Sequence, residues 1–110
     1  MCFLQSQSSD SQEIPSPGLE EFVEEFLTDR LTEIKILRAS LMAQDFESIR
    51  IQAHKWKGFS SPYGFGQLEK IGCLLEKSAE QKLEKDCKAH LINALSYLDD
   101  KAEQLKAIRP

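Results

Sequence analysis

The sequence contains 110 residues, with 18 acidic and 14 basic side chains and a formal charge of -4. This length fits one domain, since independent domains usually contain about 100–150 residues. The basic residues are dispersed and the net charge is negative, which argues against nucleic acid as a partner. No stretch approaches the roughly 20 apolar residues that span a bilayer, and the N-terminus lacks the features of a signal peptide, so we expect neither a membrane partner nor export.

The three cysteines favour a reducing environment. Cys2, Cys73 and Cys87 are odd in number, lie far apart and include no C-x-x-C pair, which indicates neither a disulfide framework nor a zinc ribbon. Cys87 and His90 lie three residues apart on a predicted helix, but no second pair accompanies them, so we predict no metal site. A cytoplasmic location is expected.

The first predicted segment is a flexible tail over 1–18. Its Ser, Gln and Pro residues come with few apolar groups, too few to offset the entropy of ordering the chain. The alternative is a short segment of Phe3, Leu4 and Ile14 that folds onto the domain. The domain itself is predicted to occupy 19–110.

A long first helix is predicted after this tail. Ser16 offers a hydroxyl cap, Pro17 suits a first helical position, and the acidic residues that follow face the positive end of the helix dipole. Apolar residues then recur at helical spacing, namely Phe22, Phe26, Ile34, Leu37 and Leu41, with Val23, Leu27 and Leu31 beside them. A break near Thr28 or Thr32 would divide this helix in two.

Three further helices are predicted. Asp45 is placed to cap the second, which ends near Ser61 because a residue before proline avoids the helical region. Its apolar side consists of Phe46, Ile49, Ala53 and Trp56. Apolar spacing places a third helix at about 67–81 and a fourth at about 84–108. With no alternating strand pattern, these elements predict an all-α fold, an antiparallel four-helix bundle.

His54 lies on the second helix, outside its apolar stripe. With Ala53 facing the core, His54 is turned about 100° toward solvent. Its neighbours three and four residues away share its face, and they are Arg50, Ile51, Lys57 and Gly58.

The residues around His54 are suited to phosphoryl transfer. A solvated histidine is mostly neutral at pH 7 and therefore nucleophilic, and an ammonium such as that of Lys57 stabilises charge on the transferred group. Gly58 leaves room for a partner, although glycine inside a helix costs about 1 kcal/mol relative to alanine. The alternative is an ordinary surface histidine among surface lysines.

The spacing around His54 resembles that of the histidine-containing phosphotransfer (HPt) domain. Residues 53–58 read A-H-K-W-K-G, against a family pattern of A-H-x-hydrophobic-K-G. Gly64 follows ten residues after the histidine, and Leu75-Glu76 lies in the next helix. The likeness covers about 19–80 well and the last helix only generically.

The resemblance implies a role for each matching residue. His54 would be the phosphoacceptor, Lys57 the phosphoryl-stabilising cation and Gly58 the clearance position. Glu76 occupies a position from which the family often hydrogen-bonds the imidazole. The helical spacing itself, and not the resemblance, adds Arg50 as a second cation beside the ring and Ile51 as an apolar contact for the partner. Lys55 would lie at the rim of that contact surface.

The implied function is a phosphorelay carrier rather than an enzyme. Its partners would be the receiver domains of response regulators and a hybrid sensor histidine kinase. No nucleotide loop or acidic magnesium cluster is evident, so we expect no cofactor in this chain, no ATP-dependent activity, and magnesium supplied by the receiver. Phe59 departs from the family, which usually has a small residue there. It favours the alternative, a helical adaptor that binds a receiver or kinase without being phosphorylated.

Overall fold

The computed structural model describes residues 13–108, and this part of the chain is all-helical, with four α-helices and no strand. A turn of 3-10 helix (Glu20–Phe22) leads into α1 (Val23–Met42). The elements that follow are α2 (Phe46–Phe59), a second 3-10 turn (Ser61–Tyr63), α3 (Gly66–Glu80) and α4 (Glu84–Ile108). The four predicted helices are therefore confirmed, and α1 runs without a break. Every helix in the described part of the chain is too short or too polar to span a bilayer.

Asp45 begins α2, as predicted. Its carboxylate accepts hydrogen bonds from the Ser48 hydroxyl at 2.6 Å and from the Ser48 backbone N–H at 3.2 Å. These bonds hold the pKa of Asp45 below its usual value. Because such a cap satisfies a backbone donor that the helix leaves unpaired, it fixes where the His54 helix starts.

The predicted helix cap at Ser16 is wrong. Leu19 precedes the first 3-10 turn, and no side chain caps that turn. The backbone of Ser16 is used instead: its N–H donates to the Pro62 carbonyl at 2.8 Å, and its carbonyl accepts from the Leu19 N–H at 3.0 Å. The entry into α1 is thus anchored to the loop after α2, a contact that local spacing cannot reveal.

One hydrophobic core joins the four helices. The predicted apolar side of α2 faces it, with Ile49, Ala53 and Trp56 fully buried and Phe46 partly buried against it. Helix α2 packs most extensively on α3, while α1 and α3 both pack on α4. The core therefore holds α2 and α3 side by side, and this pair carries the candidate site.

Residues 13–18 belong to the predicted tail, yet the structure places them against the domain. The Glu13 carboxylate accepts a hydrogen bond from the Tyr97 hydroxyl at 2.7 Å and pairs with Lys101 at 2.8 Å. It also accepts the Gln67 backbone N–H at 2.9 Å, at the positive end of α3. Composition cannot predict these contacts because their partners lie far along the chain. The earlier part of the predicted tail falls outside the described residues.

The two cysteines in the described part of the chain differ in chemical state. Cys87 of α4 is a buried free thiol, and burial raises its pKa. Cys73 of α3, by contrast, is disulfide-bonded. Spacing along a sequence does not show which thiols a fold brings together, so the count and spacing of the cysteines could not predict this bond.

Gly64 allows the segment before α1 to pack on the loop after α2. Its φ of +90° lies in the left-handed region, which disfavours residues with a Cβ. A Cβ at Gly64 would also lie 2.8 Å from the backbone nitrogen of Pro15. Two independent constraints therefore require glycine at this position.

Replacing Gly64 with Ala should cost more stability than replacing Gly18 with Ala. Gly18 has a similar φ of +93°, but a Cβ there would meet nothing within 4 Å. The left-handed conformation alone costs about 1–2 kcal/mol, and the clash with Pro15 should add about 1–3 kcal/mol at Gly64. Urea unfolding measures both costs, and equal values would contradict the packing of 13–18 on this loop.

Candidate functional site

His54 is presented to solvent by a helix whose opposite side is fixed in the core. Ala53, the residue before it, is fully buried, whereas 63% of the His54 side chain is exposed. The predicted orientation of the ring is therefore confirmed. An imidazole in this position is accessible to another macromolecule without any opening of the fold.

A buried carboxylate of α3 orients this ring. Glu76 Oε2 lies 2.9 Å from Nδ1 of His54. An ionised carboxylate can only accept a hydrogen bond, so Nδ1 carries the hydrogen and the lone pair of the neutral ring lies on Nε2. Glu76 thereby selects one tautomer and directs the nucleophilic nitrogen away from α3.

The second oxygen of Glu76 binds Lys57. The Lys57 ammonium lies 2.8 Å from Oε1, and its side chain is 24% exposed. Lys57 follows His54 by three residues, so both side chains reach the carboxylate from one face of α2. The ion pair compensates a buried negative charge that would otherwise be costly. We refer to His54, Glu76 and Lys57 as the imidazole cluster.

The pKa of Glu76 reflects its position in the imidazole cluster. Burial raises this pKa, but the ion pair with Lys57 and the hydrogen bond from His54 lower it further than burial raises it, so the value lies below the usual one. The carboxyl group is therefore ionised at neutral pH. It remains an acceptor for Nδ1–H under the conditions in which the imidazole is a nucleophile.

The other predicted site residues divide into two groups. Ile51, Lys55 and Gly58 are exposed on α2, and a Cβ at Gly58 would meet nothing within 4 Å. Arg50, however, donates to the Glu47 carboxylate at 2.7 Å and 3.0 Å. The structure thus gives Arg50 its direct ion pair with Glu47, while its charge still interacts with Glu76 of the imidazole cluster. Spacing along α2 places both partners within reach and cannot decide between them.

Glu33 of α1 braces the His54 helix, and the sequence pattern did not single it out. Its Oε1 accepts a hydrogen bond from the Trp56 indole at 2.8 Å and one from the Gln52 amide at 3.1 Å. Its Oε2 pairs with Arg30 at 2.6 Å. The one available signal was that a buried tryptophan needs an acceptor for its N–H, but several acidic residues of α1 offered one.

Phe59 packs away from His54. Its ring meets Phe26 edge-on with centroids 5.7 Å apart, and the Arg30 guanidinium lies 4.7 Å from its centroid. This residue therefore extends an aromatic cluster at the end of α2 and leaves the imidazole exposed.

Comparison of this chain with protein-family models, with curated proteins and with solved structures yields no match. An exposed imidazole with a lone pair on Nε2, a carboxylate on Nδ1 and an ammonium nearby is suited to attack an electrophile that another molecule presents.

Replacing Lys57 with Met should raise the pKa of Glu76, because the ion pair at 2.8 Å favours the charged carboxylate. The folded-state pKa of Glu76 is lowered, so this group stabilises the fold above the usual carboxyl pKa. That contribution is lost as pH falls through the folded value. Lys57→Met should therefore weaken the gain in stability on going from acid to neutral pH.

Carbon-13 NMR titration of the Glu76 carboxyl measures this shift directly. Lys55→Met is the matched control, because Lys55 is exposed on the same helix and its substitution removes the same charge. The control should leave the titration almost unchanged. Equal titration curves in wild type and Lys57→Met would contradict the ion pair.

Proposed function

We propose that this chain is a histidine phosphotransfer protein, in which Nε2 of His54 accepts and donates a phosphoryl group. The observation that carries this proposal is the exposed His54 ring with its Nδ1 held 2.9 Å from the Glu76 carboxylate. The HPt-like spacing of residues 53–58 supports it. In this proposal the four helices form the antiparallel bundle of that family, over 19–110.

The proposed reaction moves one phosphoryl group between two proteins. The Nε2 lone pair attacks phosphorus in the aspartyl phosphate of a receiver domain, the P–N bond forms, and the P–O bond to aspartate breaks. The aspartate carboxylate leaves with the bonding electron pair. No proton has to be removed from the attacking nitrogen, and Nδ1 keeps its hydrogen throughout. The reverse sequence returns the group to another receiver.

Glu76 supports this reaction electrostatically. When Nε2 forms its bond to phosphorus while Nδ1 stays protonated, positive charge develops on the ring. A carboxylate already hydrogen-bonded to Nδ1 stabilises that charge without reorganising. The buried, ionised state of Glu76 therefore has a use in the transfer step as well as in selecting the tautomer.

Lys57 has a second use in this proposal. An ammonium has three N–H donors, so Lys57 can keep its contact with Glu76 and also donate to a phosphoryl oxygen on His54. Its partly exposed, flexible side chain allows this movement. The negative charge of the transferred phosphoryl group would thus be stabilised by a positive group beside the ring.

Docking of the partner is proposed on the exposed side of α2. Ile51 offers an apolar contact, with 43% of its surface exposed, Lys55 lies at the rim, and Gly58 offers open space. The receiver would supply magnesium and the aspartate, and a hybrid sensor kinase would supply the phosphoryl group. Docking is expected to be transient, since a carrier must release each partner. The cytoplasmic location remains a prediction.

A second candidate function is a helical adaptor that binds a receiver or kinase without being phosphorylated. The feature that favours it is the identity of Phe59, since HPt domains usually have a small residue at this position, although the Phe59 ring packs on Phe26 and Arg30 and away from His54. The adaptor would use the same exposed surface. It would not need the nucleophilic nitrogen of His54.

His54→Gln should abolish transfer from a phosphorylated receiver, because an amide offers no nucleophilic nitrogen. His90→Gln is the matched control, since it removes the chain's other histidine, which lies partly buried on α4. Wild type and His90→Gln should both acquire acid-labile, base-stable phosphate, whereas His54→Gln should acquire none.

The opposite outcome would favour the adaptor function. Suppose that several competent receivers leave the wild-type protein unlabelled and that the His54→Gln variant keeps the biological effect of the wild-type protein. The adaptor function is then correct and the phosphocarrier function is wrong.

A further inference from the structure

Helices α2 and α3 approach closely beside the imidazole cluster, and Gly72 is the point of contact. A Cβ on Gly72 would lie 2.9 Å from the Ala53 carbonyl oxygen, 3.0 Å from Trp56 Cβ and 3.1 Å from the Lys57 backbone nitrogen. Two of these atoms belong to the α2 backbone, which cannot rotate aside as a side chain can. Any residue larger than glycine therefore has to move α3 away from α2.

This contact lies next to the hydrogen bond between Glu76 and His54. Ala53 and Lys57 flank His54 along α2, while Glu76 follows Gly72 by four residues on α3. Residues four apart on a helix share a face, so Gly72 and Glu76 both face α2. The helix separation that Gly72 permits is thus the separation across which the carboxylate reaches Nδ1.

The two bonds of Glu76 differ in their tolerance of a wider gap. A hydrogen bond of 2.9 Å is at its preferred length, and it is lost once the two atoms separate to about 3.6 Å. The imidazole of His54 sits on a short side chain and has little reach, whereas Lys57 has a long flexible one that can follow the carboxylate. A small displacement of α3 would therefore break the bond to His54 before the ion pair to Lys57.

We propose that Gly72 is a positioning residue, which sets the α2–α3 spacing at which Glu76 holds His54 in its Nδ1–H tautomer. The biological meaning of this inference rests on the proposed function, in which Nε2 must carry the lone pair. The tautomer itself is a property of the unmodified protein and can be observed without a partner.

Nitrogen-15 NMR of the imidazole ring in the full chain tests this proposal. Gly72→Ala is compared with Gly58→Ala, a matched glycine-to-alanine change in α2 whose Cβ meets nothing within 4 Å. Wild type and Gly58→Ala should show mainly the Nδ1–H tautomer at neutral pH. Gly72→Ala should shift toward the tautomer mixture of an unconstrained exposed histidine. Retention of the wild-type tautomer in folded Gly72→Ala would overturn the proposal.

Glu76→Asp provides a second test that does not depend on the folding of Gly72→Ala. It withdraws the carboxylate by one methylene group while Gly72 and the helix contact stay intact. The same loss of the Nδ1–H tautomer is expected. If Glu76→Asp keeps the wild-type tautomer, the spacing between the helices is not limiting, and the proposal fails.

Phosphoryl transfer from a receiver separates this inference from the proposed function. If Gly72→Ala loses the tautomer but receivers do not label even wild type, Gly72 is a positioning residue and the phosphocarrier function is wrong. If wild type and Gly72→Ala are labelled equally fast and show the same tautomer, the function stands and the role of Gly72 is wrong.

Discussion

The site depends on one buried carboxylate that is shared between two side chains of another helix. Glu76 holds Nδ1 of His54 with one oxygen and the ammonium of Lys57 with the other. The ion pair offsets the free-energy cost of burying the carboxylate charge, and that charge in turn strengthens the hydrogen bond to the imidazole. Without Glu76, the ring would be an ordinary exposed histidine. With it, the ring has a defined tautomer and a defined nucleophilic nitrogen.

The remaining structure serves to hold the two helices that meet at this carboxylate. Asp45 fixes the start of α2, and the buried face around Trp56 fixes its rotation, with Glu33 as the acceptor for the indole N–H. Gly72 then lets α3 come close enough for Glu76 to reach across. An exposed imidazole is thus supported by rigid, buried neighbours, which the proposed carrier function would require if different partners are to meet the same geometry.

Sequence reasoning succeeded where the determining interactions are local. Helical periodicity and the Asp45 cap located the four helices, and the helical wheel placed His54 outside the core. Sequence reasoning failed where the two partners are distant in sequence. Examples are the contacts of Glu13 with Tyr97 and Lys101 and the hydrogen bond from Trp56 to Glu33. Periodicity reports the environment of one helix face and not which residue of another helix faces it. The ion pair of Arg50 with Glu47 was also not predicted, because spacing along α2 does not decide which neighbour a long side chain contacts.

The proposal is tested most directly by determining whether His54 accepts a phosphoryl group and, if it does, which ring nitrogen carries that group. The measurement is NMR of phosphorylated protein with nitrogen-15 in its imidazole rings, in which coupling to phosphorus reports the bonded nitrogen. Coupling at Nε2, with Nδ1 still protonated and bound to Glu76, is the predicted result. Coupling at Nδ1 would contradict it, since that nitrogen could not then donate to the carboxylate.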